Sequence, residues 1–156
     1  MNDYDSHKII DELIDNAKIV KQMALSNGEE FLNIAFIIKE GKINPLPMTF
    51  IDDMQKRVMI DTLKDLCEEI KAEMIVIVND AYYLQLSSTT TLPSTRPSEH
   101  PHRKECLAFV WESKIDNKIV KGQATIPYHI EEGELKYDKQ IKRSQESEGL
   151  FTNILS

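Results

Sequence analysis

One uninterrupted apolar run, residues 74–78, constrains the fold of this chain more than any other stretch of its sequence. A β-branched run of this length predicts a strand that has apolar neighbours on both of its faces. The run follows a helical pattern at residues 52–71 and gives way to the polar pair Asn79 and Asp80, where such a strand would leave the core. We therefore place this strand at the centre of the predicted sheet.

Two amphipathic helices are predicted before the central strand. The first covers residues 6–25, because apolar residues recur there at helical spacing and Gly28 supplies a stop. The second covers residues 52–71, with Asp52 or Asp53 as its cap. Its predicted inner face consists of Met54, Val58, Leu63, Leu66, Cys67 and Ile70. Both helices are expected to turn their apolar stripes towards the core.

Further strands are predicted at residues 31–38, 43–50, 104–113 and 118–130, with a short edge strand at residues 134–137. Pro45 and Pro47 remove two backbone donors from the second of these strands, which favours an edge position. The succession of strand, helix and strand before residue 79 predicts a right-handed crossover and a parallel pair of strands.

The elements together predict an α+β fold, a two-layer α/β domain with a mixed sheet of five or six strands and two main helices packed on one face. This single domain would cover residues 1–137, followed by a polar tail at residues 138–156 whose apolar end can dock. Two helices are few for such a sheet, and an uncovered apolar face is usually an interface, so we expect a homodimer. A doubly wound nucleotide fold is not indicated, because it needs more crossovers and a glycine-rich first turn.

Charge and composition narrow the classes of partner. The formal net charge is −7, and phosphate contacts need a clustered basic surface, so nucleic acid is not suggested. No run approaches the roughly 18 apolar residues of a membrane span, and the acidic start predicts no signal peptide, so we expect no membrane partner and a cytoplasmic location.

Cys67 and Cys106 have neither disulfide nor metal-ligand spacing and are predicted to be free and buried. A phosphate loop and a nucleotide fingerprint are both missing from the sequence, which predicts no cofactor.

Polar side chains that could carry chemistry gather where the strand at residues 104–113 begins. Imidazole and carboxylate groups suit zinc, but His-Pro-His is not a known ligand spacing, and a polar loop entering a strand is the alternative. A long loop at residues 86–103, rich in serine, threonine and proline, connects this point to the end of the central strand. The candidate functional surface therefore consists of Asp80, Tyr82, Glu99, His100, His102, Arg103 and Glu105.

A second pattern, Glu112-Ser113-Lys114, matches the Glu-x-Lys of metal-dependent nucleases. In those enzymes acidic residues hold the metal ion and the lysine assists the nucleophile. Asp80 would be the upstream carboxylate here, and His129 is a further candidate ligand by topology. The tripeptide ends a predicted strand with no helix after it, and the acidic net charge does not suit a nuclease.

A resemblance to a class of proteins covers roughly residues 50–130. The matching residues are Asp80, Ala81 and Tyr82 at the end of the central strand, then Pro97, His100, Pro101, Arg103 and Glu105 leading into Leu107. In this pattern the chain resembles a loose class of small uncharacterised bacterial and phage-encoded proteins, with Tyr82 at a position where tryptophan was expected. The resemblance implies a bacterial or phage origin and no particular activity.

These observations favour a non-enzymatic accessory or interaction protein, derived from a phage or mobile element. It would act through its sheet surface and the loop at residues 86–103, on a protein partner or on a second copy of itself. The alternative is a metal-dependent hydrolase or nuclease that uses Asp80, His100, His102 and Glu105. The sequence leaves open whether the chain is an enzyme.

Overall fold

Two helices and one antiparallel sheet make up the part of the chain that the computed structural model describes, which is residues 1–49, 52–83, 104–138, 142–144 and 154–155. The elements are α1 (Asp3–Ser26), β1 (Ile34–Lys39), β2 (Lys42–Pro47), α2 (Asp53–Ile70), β3 (Met74–Tyr83), β4 (Lys104–Ile115), β5 (Lys118–Glu131), β6 (Glu134–Tyr137) and β7 (Lys142–Ser144). The strand order is β2-β1-β3-β4-β5-β6, and β7 also pairs with β5. The central position predicted for the apolar run is thus confirmed, because β3 lies between β1 and β4.

Both helices begin at side-chain caps. The Asn2 carboxamide oxygen accepts from the backbone N–H of Asp5, and the Asp52 carboxylate accepts from the backbone N–H of Gln55, each at 2.8 Å. Such caps satisfy amide donors that the first helical turn cannot pair internally. Helix α1 gives way at its end to Gly28, which has a φ of +68°. The helix boundaries predicted from the sequence are therefore confirmed to within a few residues.

The two helices contact opposite faces of the sheet. Helix α1 packs with Met74, Val76 and Val78, whereas α2 packs with Ile75 and Ile77. Successive side chains of a strand point to opposite faces, so these two sets identify the two faces. The prediction that both helices pack on one face is not confirmed, because an apolar strand such as β3 needs a cover on each side.

One apolar cluster lies on each face. The α1-side cluster consists of Ile10, Leu13, Ile14, Ala17, Ile38, Met74, Val76, Val78, Leu107, Phe109, Trp111, Ala124, Ile126 and Tyr128. The α2-side cluster consists of Ala35, Ile37, Met48, Ile60, Leu63, Cys67, Ala72, Ile75, Ile77, Ile154 and Leu155. The apolar end of the tail, residues 154–155, is thus buried on the α2 side.

The predicted inner face of α2 is wrong at its first turns. Met54 is 76% exposed and Val58 is 61% exposed, whereas Ile60, Leu63 and Cys67 are buried. The buried residues are spaced by three and four positions, which keeps them on one side of the helix. Met54 precedes Ile60 by six residues, about 1.7 helical turns, and therefore points away from the sheet.

The sheet is antiparallel at every pairing among the described residues, so the predicted mixed sheet is wrong. Strands β2 and β3 do run in the same direction, as the strand-helix-strand pattern indicated, but β1 lies between them. The pattern predicts the relative direction of two strands and does not say whether they are neighbours. The edge position predicted for β2 from Pro45 and Pro47 is confirmed.

A glycine allows close packing on the α1 side of the sheet. Gly122 of β5 lies opposite Trp111 of β4 in the register. A Cβ atom at position 122 would lie 2.4 Å from Cζ2 of the indole, well inside van der Waals contact. The buried Trp111 ring therefore occupies the space that any other residue at 122 would need.

We expect Gly122→Ala to lower the free energy of unfolding by about 1–3 kcal/mol, because the added methyl group overpacks a filled core. Urea denaturation measures the loss, and the fluorescence of Trp111, the one tryptophan of the chain, reports the displaced ring. The control is Gln123→Ala, at the neighbouring half-buried position of β5. Equal stability of the two variants would contradict the close packing.

Candidate functional site

Asp80 is the centre of a polar network on the α1 side of β3. Its Oδ2 accepts from Nζ of Lys21 at 2.5 Å, and its Oδ1 accepts from the Tyr128 hydroxyl at 2.6 Å. Its backbone N–H donates to Oδ1 of Asn33 at 3.3 Å. Helix α1 and strands β3 and β5 thus each contribute one side chain, and both carboxylate oxygens are already bonded.

The ammonium group of Lys21 is enclosed by aromatic rings as well as by the carboxylate. Its Nζ lies 4.6 Å from the ring centroid of Tyr128 and 5.6 Å from that of Phe31. A cation over a ring face is attracted by the ring quadrupole, and the attraction strengthens when water is excluded. The Lys21 side chain is only 11% exposed, so the pairing with Asp80 offsets the cost of removing its charge from water.

Two tyrosines extend the network towards β6. Tyr128 and Tyr137 pack edge to face with centroids 6.1 Å apart, and Nζ of Lys18 lies 5.0 Å from the Tyr137 ring. Burial raises the pKa of Tyr128, and the hydrogen bond to Asp80 raises it further. Burial, followed by the charge of Asp80, raises the pKa of Tyr137 to about 12. Both phenols therefore stay protonated at neutral pH.

A shallow cavity of about 310 Å³ adjoins the network. It is lined by Lys21, Ala24, Leu25, Glu29, Glu30, Phe31 and Asp80. Three carboxylates and one ammonium group therefore line the cavity, and that ammonium group is already paired with Asp80. The cavity has the size and polarity to admit a small polar molecule.

The structure brings part of the predicted functional surface together. Tyr82 lies opposite Glu105 in the register, and Glu105 lies opposite Tyr128, so these positions share one end of the sheet with Asp80. The charge of Glu105 contributes to the raised pKa of Tyr128, which places it close to the network. The other predicted residues, Glu99, His100, His102 and Arg103, lie outside the described part of the chain.

Sequence reasoning missed the partners of Asp80. Lys21 falls four residues after Ala17, on the same apolar stripe of α1 as the buried Ile10 and Ile14. A cation on such a stripe faces the core and needs an anionic partner. The position of Lys21 on this stripe therefore indicates a buried cation with an anionic partner. It does not identify Asp80 or Tyr128 as the residues that contact it.

Glu112 anchors a second polar site, on the α2 side of the sheet. The residue is 1% exposed. Its Oε2 accepts from the backbone N–H of Ile154 at 2.9 Å, and its Oε1 accepts from that of Leu155 at 3.1 Å. The carboxylate therefore binds two consecutive peptide groups of the same chain.

This geometry does not support the nuclease pattern Glu112-Ser113-Lys114. The Glu112 carboxylate is bonded to backbone amides on the α2 side, whereas Asp80 belongs to the network on the α1 side. The two carboxylates lie on opposite faces of the sheet and cannot bind one metal ion. Ser113 faces the α1 side, where its hydroxyl lies 2.8 Å from that of Ser6. Within the described residues there is no group of three His, Cys, Asp or Glu side chains that could hold a metal ion.

Both cysteines are free and buried, as predicted. Burial, with a further contribution from the charge of Glu112, raises the pKa of Cys67 to about 11. Burial, with a further contribution from Asp80, raises the pKa of Cys106 to about 11. The thiols are protonated at neutral pH and are therefore poor nucleophiles.

We expect Lys21→Met and Asp80→Asn each to lower the free energy of unfolding by about 1–3 kcal/mol, because each removes a hydrogen bond between charged groups. The double variant should show a coupling energy of about 0.5 kcal/mol or more, since the two side chains are in direct contact. Urea denaturation of the four proteins measures this cycle. Lys8→Met, at an exposed position of the same helix, is the control. Strictly additive losses would show that the pair contributes no interaction energy.

The raised thiol pKa values predict that stability falls in alkaline solution. Both thiols have an ordinary pKa of 9.0, raised to about 11 in the native state, so the native state holds these protons more tightly than the unfolded state. The stability that the neutral thiols contribute is complete below pH 9 and is lost as the pH rises through 11. Urea denaturation between pH 7 and pH 11 should show this decline. The decline should be shallower in Cys67→Ala and Cys106→Ala, and identical slopes would contradict the assignment.

Neither described helix is long and apolar enough to span a membrane. Comparison of the chain with protein-family models, with curated proteins and with solved structures finds no match. The function must therefore be argued from the geometry of the two polar sites.

Proposed function

We propose that this chain is a non-enzymatic interaction protein that binds an apolar peptide segment on the α2 side of its sheet. The observation that carries the proposal is the pair of hydrogen bonds from two successive backbone N–H groups to the buried Glu112 carboxylate. Burying a carboxylate is costly unless it is bonded, so this position favours an occupant that supplies donors. A peptide backbone supplies them irrespective of its side chains.

The apolar surroundings of Glu112 supply selectivity. The side chains of Ile154 and Leu155 are buried in the same cluster as Ile60, Leu63 and Cys67 of α2. Main-chain hydrogen bonds give affinity in peptide recognition, and pockets for side chains give specificity. The site therefore suits a peptide with two adjacent aliphatic residues, and in this structure the chain's own residues 154–155 occupy it.

The engagement of the other polar groups also supports binding over catalysis. Both oxygens of Asp80 accept hydrogen bonds, and the tyrosine and cysteine pKa values are raised away from neutral pH. The alternative, a metal-dependent hydrolase or nuclease, relies on His100 and His102, and no described geometry favours it. The phage or mobile-element origin relies on the sequence resemblance alone.

The test is binding of a fluorescent peptide with the sequence of residues 150–156 to the full chain carrying Ile154→Asp and Leu155→Asp. The aspartates should withdraw the chain's own segment from the apolar site and leave Glu112 open. We expect saturable binding by fluorescence anisotropy, and binding about ten-fold weaker or more when Glu112→Gln is added, because a hydrogen bond to a charged group is lost. A peptide with aspartate at both aliphatic positions is the matched control.

A second measurement uses the unmodified chain. Excess unlabelled peptide should displace residues 154–155, and their backbone amide resonances in a ¹⁵N-labelled chain should move to the positions of a solvent-exposed peptide. If the folded double variant binds no peptide and these resonances do not move, the proposed function is wrong.

A further inference from the structure

We infer that the Glu112 site recognises a bent peptide segment, whose two successive backbone N–H groups point to the same side, and not an extended strand. This inference relies on the proposed function, because it names the class of peptide that the site binds. Two separate features of the bound segment, residues 154–155, carry the inference: the direction of its backbone donors and the placement of its side chains.

The hydrogen bonds to Glu112 fix the orientation of two neighbouring peptide groups. The backbone N–H of Ile154 donates to Oε2 at 2.9 Å, and that of Leu155 donates to Oε1 at 3.1 Å. Both oxygens belong to one carboxylate, so the two N–H groups point to the same side of the segment. In a β-strand, successive N–H groups point to opposite sides, and only one of them could reach this carboxylate.

The side chains of the segment show the same departure from an extended strand. Ile154 and Leu155 are both buried in the α2-side cluster. Adjacent side chains of a strand point to opposite faces, so only one of the two would enter the cluster. The chain bends at Ile154, and such a bend turns successive N–H groups towards one anion, as in backbone nests and at the first turn of a helix. The ligand class is therefore a turn with two adjacent aliphatic residues.

The chemistry of Glu112 enforces this choice of backbone. A carboxylate accepts hydrogen bonds on both oxygens and donates none, whereas the carboxamide of glutamine replaces one acceptor by a donor. Because Glu112 is 1% exposed, an oxygen that the peptide leaves unpaired gains little compensation from water. A ligand must therefore supply both N–H groups, which excludes proline at either aliphatic position.

Backbone esters test the two donors. The probe is the fluorescent peptide of residues 150–156, bound to the full chain carrying Ile154→Asp and Leu155→Asp. An ester in place of the amide at position 154 or 155 removes one N–H and keeps both side chains. We expect each ester to weaken binding about ten-fold, because a hydrogen bond to a charged group is lost. When Glu112→Gln is added to the chain, at least one ester should weaken binding less than about two-fold, because the carboxamide has one acceptor fewer.

A methyl group on Cα tests the bend itself. Two further peptides carry leucine or α-methylleucine at position 154, and the added methyl group favours helical over extended backbone. We expect the methylated peptide to bind about five-fold more tightly, because less conformational freedom is lost on binding. In the unmodified chain, we expect a strong nuclear Overhauser effect between the amide protons of Ile154 and Leu155, since these protons lie close together only in a bent segment.

Any of three results would overturn recognition of a bent segment: esters that bind as tightly as the amide peptide, a Cα-methyl group that weakens binding, or a weak effect between the two amide protons. Saturable binding of the unmodified peptide would then still support the proposed function. Failure of every peptide to bind would remove both.

Discussion

The burial of β3 on both faces is the constraint on which the rest of the fold depends. Its residues from Met74 to Val78 are at most 1% exposed. Each such side chain contributes about 1.5–3 kcal/mol when it leaves water, provided that its face is covered. Helix α1 covers one face, and helix α2 covers the other together with residues 154–155. The tail segment is thus part of the cover that the central strand needs.

Charged groups at the margins of these two layers are held by specific partners. Asp80 is held by Lys21 and Tyr128 on one face, and Glu112 by two backbone amides on the other. At the opposite end of β3, Glu73 accepts from the backbone N–H of Glu40, which lowers the pKa of the Glu73 carboxyl. The Asp80 and Glu112 sites differ in the kind of partner. Asp80 binds side chains that are fixed on α1 and β5, whereas Glu112 binds the backbone of residues 154–155.

The sequence predicted the elements well because their signals are local. Caps, helical spacing and the apolar run placed both helices and β3, and the prolines identified β2 as an edge strand. The side of the sheet on which each helix packs was not predictable, because periodicity defines an apolar stripe without saying which surface it meets. Only part of the Asp80 network could be predicted, because Lys21 and Tyr128 are 59 and 48 residues from Asp80 in the sequence. Glu112 was singled out as part of a Glu-x-Lys pattern, and such a tripeptide carries no information about the two backbone amides that its carboxylate contacts.

The prolines of β2 also limit how this sheet can grow. The backbone N–H of Met48 points towards β1, where it donates to the Asn33 carbonyl oxygen, so the alternate positions 45 and 47 turn their nitrogens outward. Both outward nitrogens belong to proline and carry no hydrogen, so a strand added at this edge would find two acceptors unpaired. At the other side of the sheet, β7 pairs with residues 123–125 of β5, and β6 pairs with residues 128–131. Edge prolines of this kind hinder pairing with a strand of another chain, so the β2 edge is a poor template for aggregation.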